Sequence, residues 1–176
     1  SHALCEQSLI DSLEVRAQDS LFSNLPYSRS LLRNAMRQAQ DSMSYYRLMG
    51  LYGKTFFISS DFDSILYYNR PVKEYDKRAA ACPRWNDVLS DVYNIEGNVW
   101  MQLNQPDSAV AYYEKSYAYR LKGDKAHLLS DICMNLADAH LHRGELAHTA
   151  SYYRRALFIC DSLHLSEHSK FPVYCG

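Results

Sequence analysis

Five of the seven histidines, His140, His142, His148, His164 and His168, fall in the last quarter of the chain. The chemistry they suggest is metal ligation, and His164 and His168 have the i,i+4 spacing that brings two imidazoles onto one helical face. The segment reads His164-Leu165-Ser166-Glu167-His168, without the glutamate placement of a zinc-protease helix, and it falls where a helix is expected to end. His140 is expected in an ordinary packing role, so no metal is assigned. The five cysteines, at 5, 82, 133, 160 and 175, are odd in number and include no Cys-x-x-Cys pair, which excludes a disulfide framework or a zinc ribbon. Cys133 could pair with His127 or His140 as a nucleophile, but a core position without a cationic neighbour leaves a thiol inert. Glycine-rich phosphate loops and the Gly-x-Ser-x-Gly elbow are absent from the sequence. Glu14, Glu74 and Glu114 are scattered over helix surfaces, and Arg154-Arg155 reads as a solvated doublet. The expectation is a protein with no catalytic residue, no metal and no cofactor; the alternative is a metal-dependent enzyme built on the C-terminal histidines.

What must position these residues follows from composition and periodicity. The chain has 176 residues, 19 basic and 20 acidic, for a formal charge of −1, which excludes a broad basic grip on nucleic acid. Apolar residues make up 47% and charged ones 22%, the balance of a folded chain rather than a disordered or coiled-coil one. Mean hydropathy is −0.39, and no apolar run reaches the roughly 18 residues of a membrane span. Six Gly and five Pro are too few for an all-β fold with many tight turns.

Tyrosine is the compositional outlier at 15, and Tyr-Tyr occurs at 45–46, 67–68, 112–113 and 152–153. The last two doublets stand 40 residues apart in similar surroundings, Pro106-Asp107-Ser108-Ala109-Val110-Ala111 before one and Leu146-Ala147-His148-Thr149-Ala150-Ser151 before the other. Small residues recur at the same interval: Gly97, Ala109 and Ser116, then Ala137, Thr149 and Ala156. An earlier copy runs Gly53, Ile65, Val72 on the same 12 and 7 spacing. A small residue within a helix lets a neighbouring helix approach, and larger residues at i±3 and i±4 fill the flanks. Pro26, Pro83 and Pro106 mark helix starts, and Asn104 and Gly144 mark turns that need a left-handed residue. Gly123-Asp124 reads as a helix stop and an N-cap, Asp-Ser dipeptides at 11, 19, 41, 63, 107 and 161 read as capping, and Pro71 is expected to kink or interrupt its helix. Leu31, Leu32, Ala35, Met36 and Ala39 share one face of a helix over Pro26–Gln40.

Glu96-Gly97-x-x-Trp100, Leu136-Ala137-x-x-His140 and Tyr52-Gly53-x-x-Phe56, followed by Ala109-x-x-x-Tyr113, Thr149-x-x-x-Tyr153 and Ile65-x-x-x-Asn69, resemble the tetratricopeptide repeat. The resemblance covers residues 85–163 closely and 41–80 less so, with a period of 40–44 residues against about 34 in the family. Leu121 and Asp161 stand where the family closes with proline. The implied fold is all-α, a right-handed solenoid of about four antiparallel helix pairs. A single array over 1–176 is expected, in units 1–40, 41–80, 84–123 and 124–163, with 164–176 as the start of a further unit or a tail.

The resemblance further implies a concave groove lined by the first helix of each pair, with Arg47, Lys54, Asp91, Asn94, Asn98, Met101, Asp131, Met134, Asp138 and Leu141 facing it. Asn98 follows Gly97 where peptide-binding members carry an asparagine, while Lys54 and Asp138 take that place elsewhere. The partner expected there is a protein or peptide. Long-period arrays of this kind resemble the extracytoplasmic sensory or scaffolding segments of bacterial membrane-bound regulators. The expected role is therefore the input part of such a signalling protein, in the periplasm, with no nucleic-acid partner and no span in this segment. The alternative is a free-standing adaptor for complex assembly. The Ser-His-Ala opening fits either a removed signal segment or an excised piece, the Phe171–Gly176 ending fits an excised piece, and self-association is expected through Leu157, Phe158 and the segment after Leu165.

Overall fold

Local side chains set most helix starts. Asn24, Asp41 and Asp61 each precede a helix and accept the backbone N–H of Tyr27 (3.1 Å), Ser44 (2.8 Å) and Ser64 (3.2 Å), donors that a first turn otherwise leaves open. Pro26, Pro83 and Pro106 stand at the first or second position of theirs, where the missing N–H is not needed. Among the Asp-Ser dipeptides only Asp41 acts as such a cap; Asp63 and Asp107 lie inside first turns, where their charge complements the helix dipole.

The computed structural model describes residues 2–76 and 82–162, with side chains from Ser8 onward. These residues are all-helical, with no strand among them: α1 (His2–Asp19), α2 (Leu25–Gln38), α3 (Ser42–Lys54), α4 (Phe62–Tyr75), α5 (Pro83–Gln102), α6 (Pro106–Arg120), α7 (Leu129–His142) and α8 (Leu146–Ser162). Single 3-10 turns stand at Thr55–Phe57 and Ala126–Leu128. The chain divides into two compact units, Ser1–Ala80 and Ala81–Gly176, and each closes on two helical hairpins, α1–α2 with α3–α4 and α5–α6 with α7–α8.

In the first unit Ile10, Leu13 and Ala17 of α1 meet Leu31, Leu32 and Ala35 of α2 and Leu48 and Tyr52 of α3, the spacing of one apolar stripe per helix. Met36 and Ala39 pack at its edge, so α2 buries the face expected of it. The Ser28 hydroxyl donates to the Ala17 carbonyl at 2.7 Å, which draws α1 and α2 together. Pro71 lies inside an unbroken α4 rather than ending it. The carbonyl its ring leaves without a donor belongs to Tyr67, which is 73% exposed, so water can take the place of the lost bond.

In the second unit Ala109, Val110 and Tyr113 of α6 pack with Ile132, Leu136 and Ala139 of α7, with Trp100 and Met101 of α5 against them. Gly97 lets α5 and α6 close up: a Cβ there would lie 2.4 Å from the Tyr113 ring, so the ring itself occupies the space glycine leaves. Two turns back along α5, Ser90 exchanges hydroxyl-to-carbonyl bonds of 2.9 and 2.8 Å with Ser116 of α6. Asn104 (φ 56°) and Gly144 (φ 74°) close the two hairpin turns in the left-handed region, as their residue types predict.

Candidate functional site

The residues expected to face a groove fall on α5 and α7 of the second unit and on α3 of the first. On α5, Asp91, Asn94 and Asn98 follow one another at helical spacing, as do Asp131, Asn135 and Asp138 on α7. The Asn135 amide donates to the Asn94 carbonyl oxygen at 3.0 Å, joining the two rows. Asn135 was not among the sequence-derived candidates, although the spacing that selects Asp131 and Asp138 selects it as well. Met134 beside it is half-buried, Met101 packs against the core and Leu141 is exposed.

A second pattern repeats at the 40-residue period. The Tyr113 hydroxyl donates to Asn98 Oδ1 at 2.7 Å, and the Tyr153 hydroxyl donates to Asp138 Oδ1. The positions after Gly97 and Ala137 therefore each hold the tyrosine of their own hairpin. The bond to Asp138 and burial push the Tyr153 phenol up to about 12; burial raises Tyr113 as well. The Asp131 carboxyl is raised by the protein packed around it, with a Ser130 hydrogen bond and the charges of His127 and Arg120 opposing.

Asp91 is engaged differently. Arg120, buried on α6, donates to Asp91 with one nitrogen and to Asp87 at 2.7 Å with another. Asp87 also accepts the backbone N–H groups of Asp124 (2.9 Å) and Lys125 (3.3 Å). Asp124, expected as an N-cap, thus donates its backbone to a capping carboxylate from α5. Gly123 is required by that carboxylate: a Cβ would stand 2.2 Å from Asp87 Oδ1, while its φ is not left-handed.

In the first unit Arg47 is buried on α3, with Nη1 on Glu14 and Nη2 3.9 Å from Asp11, both of α1. It is held within the hairpin packing instead of being presented to a ligand. Lys54, in the last turn of α3, is exposed.

The turn between α7 and α8 gathers the other candidate chemistry. His140, 5% exposed, places Nδ1 2.6 Å from Glu145 Oε2, and His148 Nδ1 lies 3.8 Å from the same oxygen. The His140 ring stacks on His148 (centroids 4.9 Å apart, 18°) and on Tyr152 (5.4 Å, 11°). Arg143 donates to Glu145 Oε1 and to Asp107, each at 2.9 Å. The hydrogen bond from His140, then the Arg143 charge, hold the Glu145 carboxyl below its usual range. His142 is exposed outside this group; the His164–His168 pair lies outside the described residues. Cys133 is buried, and burial pushes its thiol up to about 11, so it carries no thiolate at neutral pH. Phe158 is exposed and Leu157 half-buried, while the segment after Leu165 again lies outside the described residues.

No protein-family model matches the chain, and no curated protein matches it in sequence. Among solved structures the chain is similar to BtubC (BKLC) from P. vanneervenii, with 13% sequence identity and a TM-score of 0.68 over 92% of this chain and 66% of that one. The chain thus spans just under two thirds of the BtubC chain, and a likeness at this identity shows a shared helical fold.

Proposed function

We propose that the chain is a non-catalytic binding module of tetratricopeptide type, built as an α-solenoid, whose α5–α7 face takes an extended protein or peptide segment. The observation that carries this reading is the double polar row, Asp91, Asn94 and Asn98 beside Asp131, Asn135 and Asp138, tied across by the Asn94–Asn135 bond. Such a row offers amide groups to a ligand backbone and carboxylates to donor-bearing side chains. Among the described residues Asp131 and Asp138 form no ion pair within 4.0 Å, although His127 and Arg120 act on Asp131 from further off, whereas Asp91 is paired with Arg120. The favoured ligand is therefore a segment carrying lysine or arginine.

The test is fluorescence anisotropy with labelled extended peptides of matched length, one set basic and one acidic. The basic set should bind, more weakly at high salt. The double change Asp131→Asn, Asp138→Asn should weaken it about tenfold, a loss of about 1.4 kcal/mol, while leaving the chain folded at the assay temperature. Equal binding of both sets, or indifference to the double change, would overturn the reading. The role as input part of a bacterial membrane-bound regulator rests on the sequence resemblance of residues 85–163. Fractionation of cells producing the natural protein tests it: recovery from the periplasmic face of the membrane supports it, and recovery from the cytosol favours a free-standing adaptor.

A further inference from the structure

We propose that His140, Glu145 and His148 form a binding site for a divalent metal ion of zinc type, at the turn that joins α7 to α8. Each residue offers one ligand atom, and the three atoms lie within 4.8 Å of one another. Two imidazoles and one carboxylate are a donor set that zinc uses when it keeps a further position open. Ligands about 2.1 Å from a tetrahedral ion stand about 3.4 Å apart, so the three atoms are near ligand spacing and close onto an ion by side-chain rotation.

The fold fits the three residues for this in different ways. His140 is fixed by burial and by the Tyr152 ring stacked on it. Glu145 supplies the carbonyl that accepts the Thr149 N–H, at 3.0 Å in the first turn of α8, so its backbone is held while its side chain is partly open. The His148 side chain is 66% exposed, and binding requires it to turn from its stacked position on His140 to one aiming Nδ1 at the ion.

The preceding hairpin is an internal control. Forty residues upstream of His140, Glu145, His148 and Tyr152 stand Trp100, Gln105, Ser108 and Tyr112, on the same helix–turn–helix scaffold. Packing there needs no ligand-type residue at the first three positions. In the last hairpin all three have become metal ligands while the stacking tyrosine is unchanged.

The charge balance is set by Arg143, which faces Glu145 but is itself paired with Asp107, so the carboxylate is not neutralised by an unshared cation. An entering ion takes the place of the His140 proton directed at Glu145. That proton shifts to Nε2 when the ring is neutral and leaves to solvent when it is imidazolium, so the ion takes the freed Nδ1 lone pair.

The untagged full chain, stripped with a chelator, is titrated with Zn²⁺ against a chromophoric competitor, and its melting temperature is followed with and without Zn²⁺. One equivalent should bind and raise the melting temperature. His148→Ala removes an exposed side chain and leaves the fold intact; it should weaken binding by at least about 10–100-fold, the loss that even outer-shell partners of a metal cause, and abolish the thermal shift. Glu145→Gln should act in the same direction, and His142→Ala should change neither readout. Absence of Zn²⁺ binding, binding indifferent to His148→Ala, or binding lost only in the double variant His164→Ala, His168→Ala would each overturn the proposal.

Discussion

The Tyr113 ring fills the space beside Gly97 and its hydroxyl donates to Asn98 at 2.7 Å, so one side chain serves both packing and polar satisfaction. Tyr113→Ala should lower stability by about 3–5 kcal/mol through the cavity it leaves. Tyr113→Phe and Asn98→Ala should each cost about 1 kcal/mol, the worth of one hydrogen bond. Denaturant melts of the singles and the double should show coupling between the two, where independent sites would simply add. The helical phase of Asn98 was legible from its place after Gly97; that its oxygen is already taken was not, because the partner lies 15 residues away on the next helix. At Asp138 the same bond makes a pH prediction. The Tyr153 phenol titrates at about 12 against an ordinary 10.0. Its folded value is raised, so its contribution to stability is fully present below pH 10 and is lost as pH climbs towards 12. Tyr153→Phe should flatten the alkaline fall of the melting temperature over that window, and an unchanged fall would show that Tyr153 has no part in it.

Two glycines show how one residue type can be legible at one element junction and opaque at another. Gly144 ends α7 at φ 74° with nothing within 4 Å of a Cβ, and its left-handed role is what a glycine between two helical patterns predicts. Gly144→Ala should cost about 1–2 kcal/mol of backbone strain, with Gly144→Asn milder. Gly123 also follows a helix, but its reason is tertiary: Asp87 from α5 occupies the place of its side chain and binds Arg120 and two backbone N–H groups. Gly123→Ala should push that carboxylate off its partners, and Asp87→Ala, which leaves the buried Arg120 charge without its partner, should cost about 3–5 kcal/mol. Thermal melts of the three variants should therefore rank Asp87→Ala as most damaging and Gly144→Ala as least. No periodicity contains this junction, since Asp87 and Arg120 lie 33 residues apart and neither keeps its charge one period on, where His127 and Cys160 stand.

At the scale of the whole chain, the helix content and the hairpin order were legible because small residues and tyrosines recur at fixed intervals, and Gly97 with Tyr113 is the contact those intervals encode. The division after Ala80 was not, because the repeat pattern runs across it at Gly53 and Gly97 without a change in type. Nor was the gathering of His140, Glu145 and His148: periodicity assigned His140 to packing, and only the turn geometry brings the other two beside it. The division has a consequence for how stability is distributed. One core is built of Ile10, Leu13, Leu31, Leu32, Leu48 and their neighbours, the other of Ala109, Val110, Tyr113, Ile132 and Leu136. Leu48 is fully buried, and Leu48→Ala should cost about 2–5 kcal/mol. Hydrogen exchange followed by mass spectrometry should then show protection lost across α1–α4 while α5–α8 exchange as before, the behaviour of separate cooperative units. Uniform loss of protection through all eight helices would mean that the chain unfolds as one, and that its two cores share a single cooperative transition.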